Sequence, residues 1–340
     1  VEHSKISVVI LNWNGLSYLR RFLPLLVERS RLPGVEIVVA DNASTDDSCA
    51  FVREAFPELK LIRLDRNYGF AEGYNRALSC LEADYFILLN SDVEVARDWL
   101  APLIRYMEEH PNVAACQPKI RSLARPDHFE HAGASGGFLD RYGYPFCRGR
   151  IFTTLECDTG QYDTVIEIFW ATGACLMIRS EDFRSAGGLD GDFFAHMEEI
   201  DLCWRLKSRG RKIVCVPQSV VFHVGGGALH AEHPRKTYLN FRNNLLLLYK
   251  NLPPKSFRKI LLLRSLLDFL AALQLCFSGR PKNALSIFRA WYRFLRIKPD
   301  FRFKREENLR LSKFAAKSLL YPRSILWEYY LKGRKYYSQL

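Results

Sequence analysis

Four clusters of polar residues each follow an apolar run near the start of the chain. Ile6–Leu11 leads into Asn12-Trp13-Asn14-Gly15, and Glu36–Ala40 leads into Asp41-Asn42-Ala43-Ser44-Thr45-Asp46. Leu59–Leu64 is followed by Arg66-Asn67-Tyr68-Gly69, and Tyr85–Leu89 by Asn90-Ser91-Asp92. Asp41 is a carboxylate placed directly after Val38-Val39-Ala40, suited to accept hydrogen bonds from a nucleobase or ribose. Asn90 and Asp92 alternate on an extended segment, so both can approach one cation. Oxygen donors of this kind suit Mg²⁺ or Mn²⁺, which also bind substrate phosphates. Each element also has a plainer reading. Ser44, Thr45 or Asp46 can simply cap a helix, and a polar triplet can be an ordinary turn. Gly69 opens a helix, where it either allows close packing or lets backbone N–H groups approach a phosphate.

A second acidic group lies further on. Phe193–Met197, read as a flexible approach, precedes Glu198-Glu199-Ile200-Asp201 at a helix start. Acids favour helix N-termini electrostatically, by about 0.3–1 kcal/mol. Asp201 also precedes Arg205 by one turn and can pair with it. His223 ends an apolar strand before the glycine-rich loop Val224–Ala228. A lone histidine there is usually a satisfied core residue.

These groups need a scaffold that gathers them. The apolar runs are short, β-branched and mostly uninterrupted, as strands buried on both faces are. Helical stretches separate them at Leu16–Arg29, Asp46–Phe56, Phe70–Leu81 and Trp99–His110. Such alternation predicts an α/β fold with a mostly parallel sheet flanked by helices, in which ligands bind beyond the carboxyl ends of the strands. The broken pattern from Arg121 to Thr164, rich in Gly, Pro and aromatics, reads as an insertion. Order returns at Trp170–Arg179 and in a helix near Glu198–Ser208, followed by strands at Lys212–Val216 and Val220–His223.

Taken in order, Val8–Gly15, Asp41–Asp46, Asn67–Asn75, Asn90–Asp92 and Glu198–Arg205 resemble family 2 glycosyltransferases, nearest their bacterial rhamnosyltransferase-like branch. The resemblance covers roughly residues 5–250. It implies a GT-A (Rossmann-like) fold, inversion at the anomeric carbon, a nucleoside-diphosphate sugar donor carried on dTDP or UDP, and Mn²⁺ or Mg²⁺. On the matching positions, Asp41 holds the nucleoside with Asn12 near the base. Arg66, Asn67, Gly69 and Ser91 fall on the donor side. Asp92 is the last carboxylate of the metal motif, Asn90 stands where the common Asp-x-Asp form has its first Asp, and His223 is a further metal ligand. Glu199 falls at the position of the proposed base, where many relatives carry the shorter Asp. Trp170, Thr172, Gly173, Glu198 and Asp201 fall on the acceptor side, although Trp170 can equally belong to the core. The acceptor implied is a polysaccharide or lipid-linked glycan.

The charge is unevenly distributed. Residues 231–340 carry 24 Lys/Arg against 6 Asp/Glu, a net +18, whereas the chain as a whole is +12. Two domains are therefore expected: a catalytic one over 1–250 and a basic helical extension over 251–340. Ile260–Phe277 is apolar but interrupted by Arg264 and Asp268. A spanning helix needs about 20 apolar residues and rarely carries two charges. An interfacial helix on an anionic membrane and a tail packed on the catalytic domain are both compatible with the pattern. Nine cysteines without a C-x-x-C pair read as free thiols of a reducing compartment. With no secretory leader read in the sequence, the expected place is the cytoplasmic face of the inner membrane. Two rival functions match parts of the pattern. A nucleotidyltransferase acting on sugar phosphates would carry a cation in the loop after the first strand, and Asn12–Gly15 has none. A basic nucleic-acid-binding protein leaves the acidic strand ends unexplained, so no nucleic acid is expected.

Overall fold

The computed structural model describes residues 4–225 and 233–340. The glycine-rich loop expected at Val224–Ala228 therefore lies mostly outside the described residues. The first half alternates as the apolar runs dictate: β1 (Ile6–Asn12), α1 (Leu16–Arg29), β2 (Val35–Asp41), α2 (Ser48–Ala55), β3 (Lys60–Arg63), α3 (Gly69–Ser79), β4 (Tyr85–Asn90), β5 (Val93–Val95), α4 (Ala101–Glu109) and β6 (Val113–Ser122). Four short strands follow in the insertion, β7 (Gly137–Leu139), β8 (Pro145–Cys147), β9 (Arg150–Ile151) and β10 (Thr154–Leu155). Then come β11 (Ile166–Glu167), β12 (Cys175–Arg179), α5 (Ser180–Ser185), α6 (Glu198–Ser208) and β13 (Lys212–His223). Helix α7 (Pro234–Asn251) ends the span expected to be catalytic, and the extension is helical: α8 (Pro254–Phe277), α9 (Pro281–Ile297) and α10 (Arg302–Leu311).

The main sheet runs β11-β13-β6-β12-β4-β1-β2-β3, with β5 paired to the end of β13. Strands β3, β2, β1 and β4 are mutually parallel, as are β6 and β13; antiparallel β12 joins the two blocks. Each face of the parallel block is covered. Val9, Val38 and Leu88 point into one apolar cluster, while Val8, Ile10, Val39 and Leu89 point into the other. This two-sided burial is why the strands read as uninterrupted apolar runs. The two strands expected at 212–223 form one, β13, with an irregularity between Val216 and Val220. The insertion folds as a separate four-stranded antiparallel sheet. It is tied to the main sheet by Asp158, whose carboxylate accepts from both Lys119 and Arg121.

The extension shares the main core. Leu252, Phe257, Phe294 and Phe301 belong to the same apolar cluster as β1, β2 and β4. Five of the nine cysteines are buried, and all are free.

Candidate functional site

Strand register sets the edge on which the polar residues emerge. Asn12 lies beside Asp41 on the β1–β2 ladder, and Leu11 beside Asn90 on the β1–β4 ladder. The polar ends of three adjacent strands thus share one level. Asn12 is fully enclosed, and its Nδ2 donates to Asp41 Oδ1 at 3.3 Å and to Ser44 Oγ at 3.1 Å. Its Oδ1 is buried without a protein partner. A Cβ on Gly15 would sit 2.3 Å from that oxygen and 3.4 Å from Ser91 Oγ, so Gly15 keeps open the space between β1 and β4. A buried acceptor without a donor costs about 1–3 kcal/mol, which a ligand N–H would recover. The other oxygen of Asp41 accepts from Ser44 N–H.

Asp46 answers to the plainer reading. Its two oxygens accept from Leu16 N–H and Ser48 N–H, capping the start of α1 and steadying that of α2. Asn67 Oδ1 accepts from Gly69 N–H and from Asn42 Nδ2, so it shapes the turn into α3, and Arg66 lies exposed over the Tyr68 ring. The first N–H groups of α3 are not free for a phosphate: Phe70 and Ala71 both donate to Phe194 O. Gly69 has φ +76°, and a Cβ there would meet Phe194 at 2.5 Å. Its requirement is close packing, and the phosphate contact expected at this helix start is not available in this arrangement.

The second half of the edge is built by β13. Its last residues pair antiparallel with β5, which brings His223 opposite Val93 and next to Asp92. His223 Nε2 lies 3.2 Å from Asp92 Oδ1, and Nδ1 lies 3.0 Å from Glu130 Oε2. The second contact is ionic rather than an aligned hydrogen bond, since Nδ1 lacks a partner by hydrogen-bond geometry. Burial disfavours the imidazolium, but the two carboxylates outweigh it and push His223 up to about 10. Glu130 was not legible as a site residue: it stands in the irregular insertion, and only the fold of that segment brings it to His223. A divalent cation taken here would displace the Nε2 proton, because an imidazolium has no lone pair to donate. The donors would then be the Asp92 carboxylate and the neighbouring His223 Nε2, while Glu130 holds the opposite ring nitrogen; Ser91 and Asp92 form a turn after β4, so the extended alternation expected of Asn90 and Asp92 does not hold. A carboxylate behind a ligating histidine fixes its tautomer and orientation.

The acidic helix start is held from α7. Phe194, His196 and Met197 have φ of 66°, 71° and 74°, a left-handed run in residues that rarely adopt it. Asn243, fully buried, donates to the carbonyls of Phe193, Ala195 and His196, and Arg242 donates to those of Asp192 and Phe193. The segment expected to be flexible is thus pinned, and strained backbone held this way clusters at functional sites. It delivers Glu198 and Glu199 with one carboxylate oxygen each buried and unpartnered. Burial raises the Glu199 carboxyl to about 7. Burial and the neighbouring Glu199 raise Glu198 well above the usual carboxylate range.

Two acceptor-side expectations are corrected. Asp201 is fully enclosed and accepts from Arg205 Nε at 2.9 Å, Lys250 Nζ at 2.8 Å and Asn251 Nδ2 at 3.0 Å. Its oxygens are committed to joining α6 to α7, so it anchors the helix and does not face an acceptor. Trp170 is 4% exposed, stacks on Gly137 and donates from Nε1 to Phe138 O at 3.0 Å, so it is core. Thr172 and Gly173 are also buried; Thr172 N–H donates to Gln117, and a Cβ on Gly173 would meet the Phe70 ring at 2.9 Å. They pack the loop against the first turn of α3.

The geometry is accompanied by clear likenesses. The family model described as Glycosyl transferase family 2 matches residues 7–184. Over 236 residues the chain is 28% identical to the N-acetylglucosaminyl-diphospho-decaprenol L-rhamnosyltransferase of Mycobacterium tuberculosis H37Rv, covering 64% of this chain and 75% of that protein. Among solved structures it is similar to S. aureus TarS 1–349 in complex with UDP-GlcNAc, with a TM-score of 0.58 at 15% identity over 98% of this chain and 93% of that one. It is also similar to the mannosyltransferase PcManGT of Pyrobaculum calidifontis in complex with GDP-Man and Mn²⁺, with a TM-score of 0.52 at 16% identity over 92% and 85%.

Proposed function

This chain belongs to Glycosyl transferase family 2 and is a glycosyltransferase; from that premise we propose that it moves a sugar, with inversion, from a dTDP- or UDP-sugar to a glycan or lipid-linked acceptor. Rhamnose is the sugar we favour, because the relative from M. tuberculosis is named a rhamnosyltransferase. The observation that carries the reading is the pairing of two half-sites. One is a set of nucleotide-type polar ends on β1, β2 and β4; the other is a strained, pinned loop presenting Glu199 near neutrality.

In this reading Asn12 Oδ1 accepts from the base and Asp41 holds the nucleoside, with Ser91 on the donor side and Arg66 and Asn67 at the outer rim. Asp92 and His223 hold Mn²⁺ or Mg²⁺, which when bound offsets the charge of the departing diphosphate. Glu130 orients His223. Glu199 takes the proton of the acceptor hydroxyl as that oxygen attacks the anomeric carbon. An inverting transfer needs one such base, and a pKa near the working pH suits it. Glu198, whose carboxyl is pushed well above the usual range by burial and by Glu199, positions the acceptor by hydrogen bonding. Residues 1–250 form the catalytic unit and 251–340 an extension packed on it, at the cytoplasmic face of a membrane.

The test is product analysis with dTDP-rhamnose or UDP-sugars, a lipid-linked glycan acceptor and Mn²⁺. Release of nucleoside diphosphate with sugar attached to the acceptor is expected. Pyrophosphate instead would replace this reading with nucleotidyl transfer.

A further inference from the structure

Helix α8 is inside out relative to an ordinary surface helix. Its buried stripe is Phe257, Arg264, Asp268 and Ala272. Arg264 pairs with Asp268 and donates to Asn244 Oδ1 and Tyr142 O, while Trp291 Nε1 donates to Asp268 Oδ2 at 3.0 Å. The two charges that interrupt the apolar run therefore face the protein. The opposite face carries Leu262, Leu266, Phe269, Leu270, Leu273 and Phe277, between 38% and 89% exposed. Helix α9 continues it with Leu285, Phe288, Tyr292 and Leu295, and the Phe269 and Phe288 rings meet edge to face at 6.4 Å. Contiguous apolar area of this extent on a soluble face marks an interaction site.

The charge around the patch identifies the occupant. On α9, Lys282, Arg289, Arg293 and Arg296 are exposed along one flank of the apolar stripe; Lys255, Arg258 and Lys259 are exposed at the start of α8. Apolar residues flanked by exposed cations match the acyl–headgroup boundary of an anionic bilayer. A second copy would bring the same cations face to face, and residues 251–340 already carry 20 Lys/Arg against 5 Asp/Glu, a net +15.

We propose that the exposed faces of α8 and α9 form a two-helix plane that lies flat in the interface of an anionic membrane, with the Arg264–Asp268 pair turned inward. This deepens the membrane location proposed above and does not depend on the reaction. Helix α8 has 24 residues, and an 18-residue window within it has mean hydropathy 1.9, so it has the length and composition to cross a bilayer. Crossing would pull Arg264 and Asp268 away from Asn244, Tyr142 and Trp291, and that is why the flat placement is favoured.

The full chain is mixed with vesicles of phosphatidylcholine alone, or of an equal mixture with phosphatidylglycerol, and co-sedimentation is measured. Tighter binding to the mixed vesicles is expected. Leu266→Asp and Leu270→Asp each lower it by at least about tenfold, the scale of withdrawing one leucine from the apolar layer. Arg289→Gln with Arg293→Gln lowers binding to the mixed vesicles on the order of 25-fold, about fivefold per cation. All these positions are exposed, so thermal unfolding and nucleoside-diphosphate affinity stay at parent values; this separates failure of the surface from failure of the enzymatic reading. The proposal is overturned by absence of vesicle binding, by binding that ignores the leucine substitutions, or by a dimer that these substitutions dissolve. Resistance to both high salt and alkaline wash would overturn the flat placement in favour of a span.

Discussion

Replacing Glu199 with Gln isolates its basicity. The substitution keeps size and most hydrogen bonding while removing the proton-accepting group. With the carboxyl at about 7, roughly 10% is ionised at pH 6 and roughly 90% at pH 8. The parent enzyme should therefore gain about tenfold in kcat/KM between those values, reporting the free enzyme. A carboxyl at the ordinary value of about 4.3 would be nearly all ionised at both, and the profile would be flat. Glu199→Gln should lose on the order of 10²–10⁴-fold in kcat, the scale of general-base catalysis, and the pH dependence should vanish with it. Nucleoside-diphosphate affinity should persist, because Asn12, Asp41 and Asp92 sit on the opposite half-site. The assay is initial-rate kinetics from pH 5.5 to 9 with calorimetric nucleotide binding alongside. Normal turnover of Glu199→Gln, or a flat parent profile, would refute the assignment. If Glu198→Gln alone were inactive, the base would be its neighbour.

Asp92→Ala should abolish metal-dependent transfer, read as loss of the Mn²⁺ effect on nucleotide binding and rate. His223→Ala should be milder and partly rescued by excess Mn²⁺, and Glu130→Gln should weaken metal affinity about 10–100-fold, as loss of a carboxylate behind a ligating histidine does. Asn243→Ala removes three bonds from the left-handed run before Glu198; kcat should fall, by up to about 10²-fold for a misplaced base, at unchanged nucleotide affinity. Asp201→Asn should cost on the order of 1–3 kcal/mol in unfolding experiments, because Arg205 and Lys250 lose a charged acceptor while Lys250 keeps Asp190 and Arg205 keeps the carbonyls of Ala186 and Gly188. Burial opposes ionisation of Asp190, but Lys250 and Lys304 outweigh it and hold its carboxyl at about 2. Its contribution to stability is therefore full above about 3.8 and lost as pH falls through 2, which acid titration of the unfolding midpoint will show.

Over the first 120 residues the sequence by itself determined the alternation of β1–β4 and β6 with α1–α4, because short β-branched apolar runs between helical stretches read as strands buried on both faces, and that order fixed the edge where Asn12, Asp41, Asn90 and Asp92 emerge. It also placed α6 at Glu198–Ser208 and marked Glu199. Side-chain partners across long separations were beyond it. Asp201 has the type and position of an acceptor-facing acid, yet Lys250 and Asn251 arrive from α7 and enclose it. Trp170 could be wall or core until Gly137 packed against its ring. Glu130 carried no local pattern, since its role comes from the insertion folding back on β13. In α8 the composition was ambiguous between a membrane face and a packed face. Tertiary structure fixed which face of α8 packs, by giving Arg264 and Asp268 partners inside the protein and leaving the leucines outside, because a buried ion pair with hydrogen bonds is tolerated where a buried lone charge is not.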